Sequence, residues 1–302
     1  MSHHLYADDT QMLAKATVQS LGSCCQELET CISSVQRWCA ARRLQLNPDK
    51  TEFICFGSTV QLQRLLTANI SINVDGVVIK PVDCVRDLGV HLDSRLDMRF
   101  HISRIVSTCF FHLRRLRHLR RTLDRDVRQR LVSAFILSRI DYCNVVFATL
   151  PSVTLAPLRR VMSAAVRFVA GLGPRDHTSD AQRELHWLPI EQRITYKLCV
   201  IMHSVVTGTA PEYISDMVTP VSELSGRAHL RSAALGLHDV PRTRTLMGFK
   251  AFSVAGPTAW NSLPQSLRDI PSAAAFKRHL KTHLFNCAAA TAPPRCVQSW
   301  SS

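Results

Sequence analysis

At Phe100 the apolar spacing of this chain changes from two residues to three or four, and that switch constrains the fold more than any other feature. Before it, Ile70, Ile72 and Val74 alternate with polar residues, Asp75-Gly76 follows, and Val77 to Ile79 resumes the apolar run. Two residues that tolerate positive φ between such runs specify a two-residue β-hairpin. After it, Ile102, Ile105, Cys109, Leu113, Leu116 and Leu119 recur at helical steps. The class expected is α+β, with short antiparallel strands in the first third and mainly helices after it.

Within that first third, Leu21, Cys24, Leu28, Cys31, Val35 and Trp38 predict one apolar helix face, stopped at Asn47-Pro48. Thr51 to Phe56 reads as a strand, and another is expected around Leu88 to Leu92. Beyond Phe100, Asp124 is placed to N-cap a helix carrying Val127, Leu131, Phe135 and Leu137. A third helix runs from Thr154 to a C-cap at Gly171, and a fourth from Pro189 toward Gly208. Residues 221–264 carry many Gly, Pro and Ser without a period and are expected to hold irregular structure and short strands; a last helix is expected over 272–285.

Charge narrows the function classes. Lys and Arg number 37 against 23 acids in 302 residues, a net charge of +14, which favours a polyanionic partner and excludes an acidic disordered tail. The excess is local: eleven arginines lie between Arg99 and Arg139 against only Asp124 and Asp126. Arg suits bidentate phosphate contacts. No uncharged stretch reaches the roughly 20 residues of a membrane span, and the N-terminus lacks an apolar run of the secretory kind. The eleven cysteines show no C-x-x-C spacing, which reads as reduced thiols in a nuclear or cytoplasmic protein. His279, His283 and Cys287 could share a helix face, but zinc would need a fourth ligand and only Cys296 is near.

The sharpest motif is Tyr6-Ala7-Asp8-Asp9. A lone acidic pair usually marks a solvated turn, yet two carboxylates at a tight β-turn can also point oxygens at one hard divalent cation. With its neighbours, the chain resembles the reverse transcriptases of LINE-type (non-LTR, jockey-like) retrotransposons. The blocks that carry the resemblance are HLYADDTQ, then Trp38 followed by LQLNPDKTEFICFG, then DLGVHLD, FHISRIVSTCFFHLRRL, ELHWLPIEQRITYKLCVIMH, and GPTAWNSLPQSLR with FKRHLKTHLF.

The resemblance implies a polymerase palm remnant over residues 1–97, a basic helical thumb over 98–175 and a mainly helical C-terminal domain over 176–302. It implies Asp8 and Asp9 as ligands of Mg²⁺ in a two-metal centre, with Lys50 beside the pyrophosphate leaving group. Tyr6 would lie under the primer–template, and Leu88 and Gly89 would let the primer backbone approach. Arg104, Arg114, Arg115, Arg117, Arg120, Arg121 and Arg128 would grip an RNA template or RNA–DNA duplex. A complete palm of this family also needs an upstream Asp strand and fingers. The chain is therefore expected to hold part of the metal site and to be inactive alone; a non-catalytic nucleic-acid-binding module and a truncated relic are the alternatives.

Overall fold

The computed structural model describes residues 1–224 and 235–290, and these divide into two compact units, Met1–His101 and Ile102–Ser302. Within the second unit, helices from both sides of residue 175 pack together.

The first unit holds three antiparallel hairpins, each a separate two-stranded sheet: β1 (Ser2–Tyr6) with β2 (Asp9–Leu13), β3 (Ile72–Val74) with β4 (Val77–Ile79), and β5 (Cys84–Asp87) with β6 (Val90–Asp93). Asp75 and Gly76 form the expected turn, with φ of +54° and +81° and Val74 opposite Val77. Helix α1 (Leu21–Ala41) ends before Asn47, and α2 (Thr59–Thr67) starts at a capping box between Ser58 and Gln61. Thr51 to Phe56 is not a strand. It forms one isolated bridge, Phe53 to Pro81, because no neighbouring strand offers it a ladder.

The small core of this unit is Cys25, Ile72 and Val74, bordered by Leu21, Ile32 and Phe53. Cys25 and Cys39 are the buried residues of α1, so its inner face is turned from the expected one, and Trp38 stays 52% exposed with the Arg42 guanidinium stacked 4.4 Å from its ring. A cavity of about 370 Å³ lies against that face, lined among others by Leu28, Ile32, Val35, Phe53 and Ile54. Apolar side chains bordering empty space forfeit dispersion contacts, so this core is thinly packed.

Helix α3 (Arg99–His118) buries Ile102, Ile105, Cys109, Leu113 and Leu116 as its spacing predicts, while Leu119 falls past its end and is exposed. Asp124 caps α4 (Arg125–Val132), accepting the Val127 N–H at 2.7 Å. The helix then runs through a π-helical turn, Ser133–Leu137, into α5 (Ser138–Asp141). The wider turn rotates the inner face, so Val132 and Ile136 are buried and Phe135, expected inside, stacks on His112 at the surface.

Helix α6 (Ser152–Ala170) ends at Gly171 with φ +78°, and after α7 (Ser179–Glu184) comes α8 (Ile190–Val206), both close to expectation. The segment expected to be irregular, which follows α9 (Glu212–Ser215), contains among its described residues a 3₁₀ helix (Val221–Glu223) and two α-helices, α10 (Leu246–Phe249) and α11 (Phe252–Asn261). Burial decides this: Val254, Ala255 and Trp260 lie in the core, and a Cβ on Gly256 would stand 3.0 Å from Met202 Sδ, so glycine permits the close packing of α11 on α8. Trp260 Nε1 donates to Gly236 O at 3.1 Å, while Asn261 exchanges two hydrogen bonds with the His238 backbone. After α12 (Gln265–Arg268), α13 (Ala273–Ala290) closes the core with Phe276, Leu280 and Leu284. No helix among the described residues is long and apolar enough to cross a membrane.

Candidate carboxylate turn and basic helix

Tyr6 and Asp9 face each other as the last pair of the β1–β2 ladder, leaving Ala7 and Asp8 as the turn. Ala7 takes φ +53°, a left-handed conformation that strains a residue with a Cβ. Tyr6, Asp8 and Asp9 are all exposed. No further strand pairs with either edge of this hairpin among the described residues.

The β5–β6 hairpin lies beside it. Gln11 Nε2 donates to Asp87 Oδ1 at 2.5 Å, and burial first, then the Asp9 charge, raise the Asp87 carboxyl above its ordinary value while His4 lowers it. Sequence reasoning missed Gln11 and Asp87 as partners of the carboxylate turn. Each lies inside a quoted block, but nothing in linear spacing relates the two. Leu88 and Gly89 are the two turn residues of this hairpin rather than part of a strand, with φ of +42° and +85° and Asp87 paired to Val90. Leu at positive φ is strained where Gly is not.

Lys50 ends a short 3₁₀ turn, Pro48–Lys50, that Asn47 caps by accepting the Asp49 N–H at 3.0 Å. It is exposed, and no ion pair among the described residues joins it to Asp8 or Asp9. Two adjacent exposed carboxylates offer Mg²⁺ oxygen donors, but no group of three His, Cys, Asp or Glu that could hold a metal ion occurs among the described residues. A two-metal centre needs more oxygen ligands than this pair supplies. His283 Nε2 and Cys287 Sγ lie 3.5 Å apart at the surface; Cys296, the suggested fourth zinc ligand, lies outside the described residues.

On α3 the buried face leaves Arg104, Phe111, Arg114 and Arg115 on the opposite side, with Arg117 on a flank. Phe111 is 47% exposed and carries the Arg115 guanidinium 5.6 Å from its ring centre. An exposed aromatic among phosphate-seeking arginines offers a stacking surface for a base. Phe111 was legible in principle, from its i, i+4 spacing to Arg115 on the polar face. Arg121 is exposed, and Arg120 is half-buried beside Gly171. Arg128 is tied to the end of α6: its Nη1 donates to Phe168 O at 3.1 Å and its Nε to Asp124 O at 3.2 Å.

Against known proteins, 118 residues of the chain, 38% of its length, are 29% identical to the "Probable RNA-directed DNA polymerase from transposon BS" of Drosophila melanogaster. The match spans 12% of that protein. No protein-family model matches the chain, and no solved structure does. Sequence similarity thus ties part of the chain to a transposon-encoded RNA-directed DNA polymerase.

Proposed function

We propose that the chain is a segment of a LINE-type retrotransposon reverse transcriptase, in which residues 1–97 correspond to part of the palm and α3 with the turns after it to the thumb. The similarity to a transposon RNA-directed DNA polymerase carries the reading. The placement of Asp8 and Asp9 at the tip of an antiparallel hairpin supports it.

In this reading Asp8 and Asp9 contribute to Mg²⁺ binding only beside a further carboxylate, and the chain alone holds nucleic acid without extending it. Arg104, Arg114, Arg115 and Arg117 meet phosphates of an RNA template or RNA–DNA duplex, and Phe111 meets a base. Such contacts carry little sequence preference.

A two-part experiment on the whole chain tests this. Binding of an RNA–DNA duplex, followed by fluorescence anisotropy at several salt concentrations, should weaken with a log–log slope of roughly −4 to −5 if about five phosphates are met. Primer extension on a primed RNA template with Mg²⁺ or Mn²⁺ should give no product. No binding at low salt overturns the nucleic-acid reading, and template-dependent extension abolished by Asp8→Ala overturns the catalytic silence.

A further inference from the structure

We infer that the cleft between the end of α3 and the end of α6 captures a phosphomonoester. The cleft has a volume of about 480 Å³ and is lined by Arg117, Arg120, Arg121 and Arg167 around the Gly171-Leu172-Gly173 turn, with no carboxylate in its wall. The nearby acid, Asp176, is already engaged: its Oδ2 accepts the Gly173 N–H at 2.7 Å, and its backbone oxygen accepts from Arg167 Nη2 at 3.1 Å. Arg167 Nε is shielded from solvent and has no partner among the described residues.

Four arginines line this one space, and an anion entering it would offset their mutual repulsion. The C-terminal carbonyls of α6 do not serve, because the partial charge of a helix end is only about half an elementary charge. Those carbonyls are moreover in use. Phe168 O is taken by Arg128, and Arg167 O by the amides of Gly171 and Leu172.

The number of forks selects the ligand. A phosphomonoester carries a charge of about −1.5 to −2 and three free oxygens, enough to answer several guanidinium groups at once. An internal phosphodiester has one charge and two free oxygens and would leave forks unmatched. The group could come from the phosphorylated end of a nucleic-acid strand, a source that rests on the reading above, or from a free mononucleotide, which does not.

The test uses the whole chain and a short single-stranded RNA labelled at its 3′ end, bearing either a 5′-phosphate or a 5′-hydroxyl. The 5′-phosphate form should bind about tenfold tighter at equal salt, the effect of one net charge-assisted hydrogen bond. Arg121→Lys, which keeps the charge but loses the fork, should remove most of that preference, whereas Arg104→Ala should weaken both RNAs and keep it. Displacement of the labelled RNA by adenosine monophosphate near the RNA's own Kd also upholds the cleft and assigns it to a free nucleotide. Equal affinity for the two RNAs overturns the cleft and leaves general nucleic-acid binding standing. Binding of adenosine monophosphate that is lost in Arg121→Lys, with neither RNA bound, would uphold the cleft while the nucleic-acid reading falls.

Discussion

Gln11 and Asp87, separated by 76 positions, are joined by a hydrogen bond of 2.5 Å, and this contact sets the carboxylate-bearing hairpin beside the Leu88–Gly89 turn. It also sets Asp9 near Asp87, so the Asp9 charge opposes ionisation of the Asp87 carboxyl.

The Asp87 carboxyl should therefore titrate above its ordinary 3.8, through burial first and the Asp9 charge second. A folded value raised above the unfolded one means that the folded state binds more protons, so Asp87's contribution to stability is lost as pH rises through the folded value. Carboxyl carbon-13 titration should show the raised midpoint in the native chain and a lower one in Asp9→Asn. A midpoint that Asp9→Asn leaves unmoved would show that the two groups are not neighbours.

The opposite sign holds at the start of α3. His101 is buried, its Nδ1 accepts the His91 N–H at 3.3 Å, and burial together with His91 lowers its value below the ordinary 6.5. A lowered base binds fewer protons folded than unfolded, so stability is full above 6.5 and declines as pH falls below it. Urea midpoints measured on either side of that pH should drop on the acid side, and the drop should be smaller in His101→Gln. An equal drop in the variant would remove His101 as a cause.

Asp124→Ala removes the side chain that accepts the Val127 N–H and should destabilise the chain by about 1 kcal/mol, the usual cost of losing an N-cap. Asp124→Asn should recover most of it, because the amide oxygen can still accept. Thermal melts of the three proteins decide, and equal loss in both variants would point to charge rather than capping.

Thiol reactivity should divide the cysteines by burial. Desolvation pushes Cys109 up to about 11 and Cys199 up to about 12, so neither offers thiolate at neutral pH, whereas Cys287 is exposed. Alkylation of the native chain followed by mass spectrometry should modify Cys287 early and leave Cys109 and Cys199 intact until denaturant is added. Early modification of Cys199 would contradict the packing of α8 against α11 and α13.

Local signals were read well where one residue type settles the backbone. Asp75-Gly76 specified its turn because both positions need positive φ, Asp124 specified a cap, and Gly171 ended α6. The buried stripe of α3 followed from its spacing alone up to Leu116, since an amphipathic helix buries the face its periodicity defines. The acidic turn of the first hairpin was legible as well, because tight turns favour short polar residues.

What the sequence left open is what other segments decide. Thr51 to Phe56 has strand chemistry but no partner strand, so it stays extended and unladdered. Residues 252–261 read as irregular, yet form a helix because Gly256, Trp260 and their apolar neighbours find a face of α8 to fill. Arg128 looked like its exposed neighbours until the end of α6 claimed its guanidinium, and Arg167 joined Arg117, Arg120 and Arg121 only through folding. By itself the sequence determined which residues turn, cap and face inward, because those choices depend on backbone sterics and on a residue's near neighbours. Which carboxylates oppose one another and which arginines converge was left to the tertiary structure, because charge interactions follow distance in space and a side chain's partner lies many positions away.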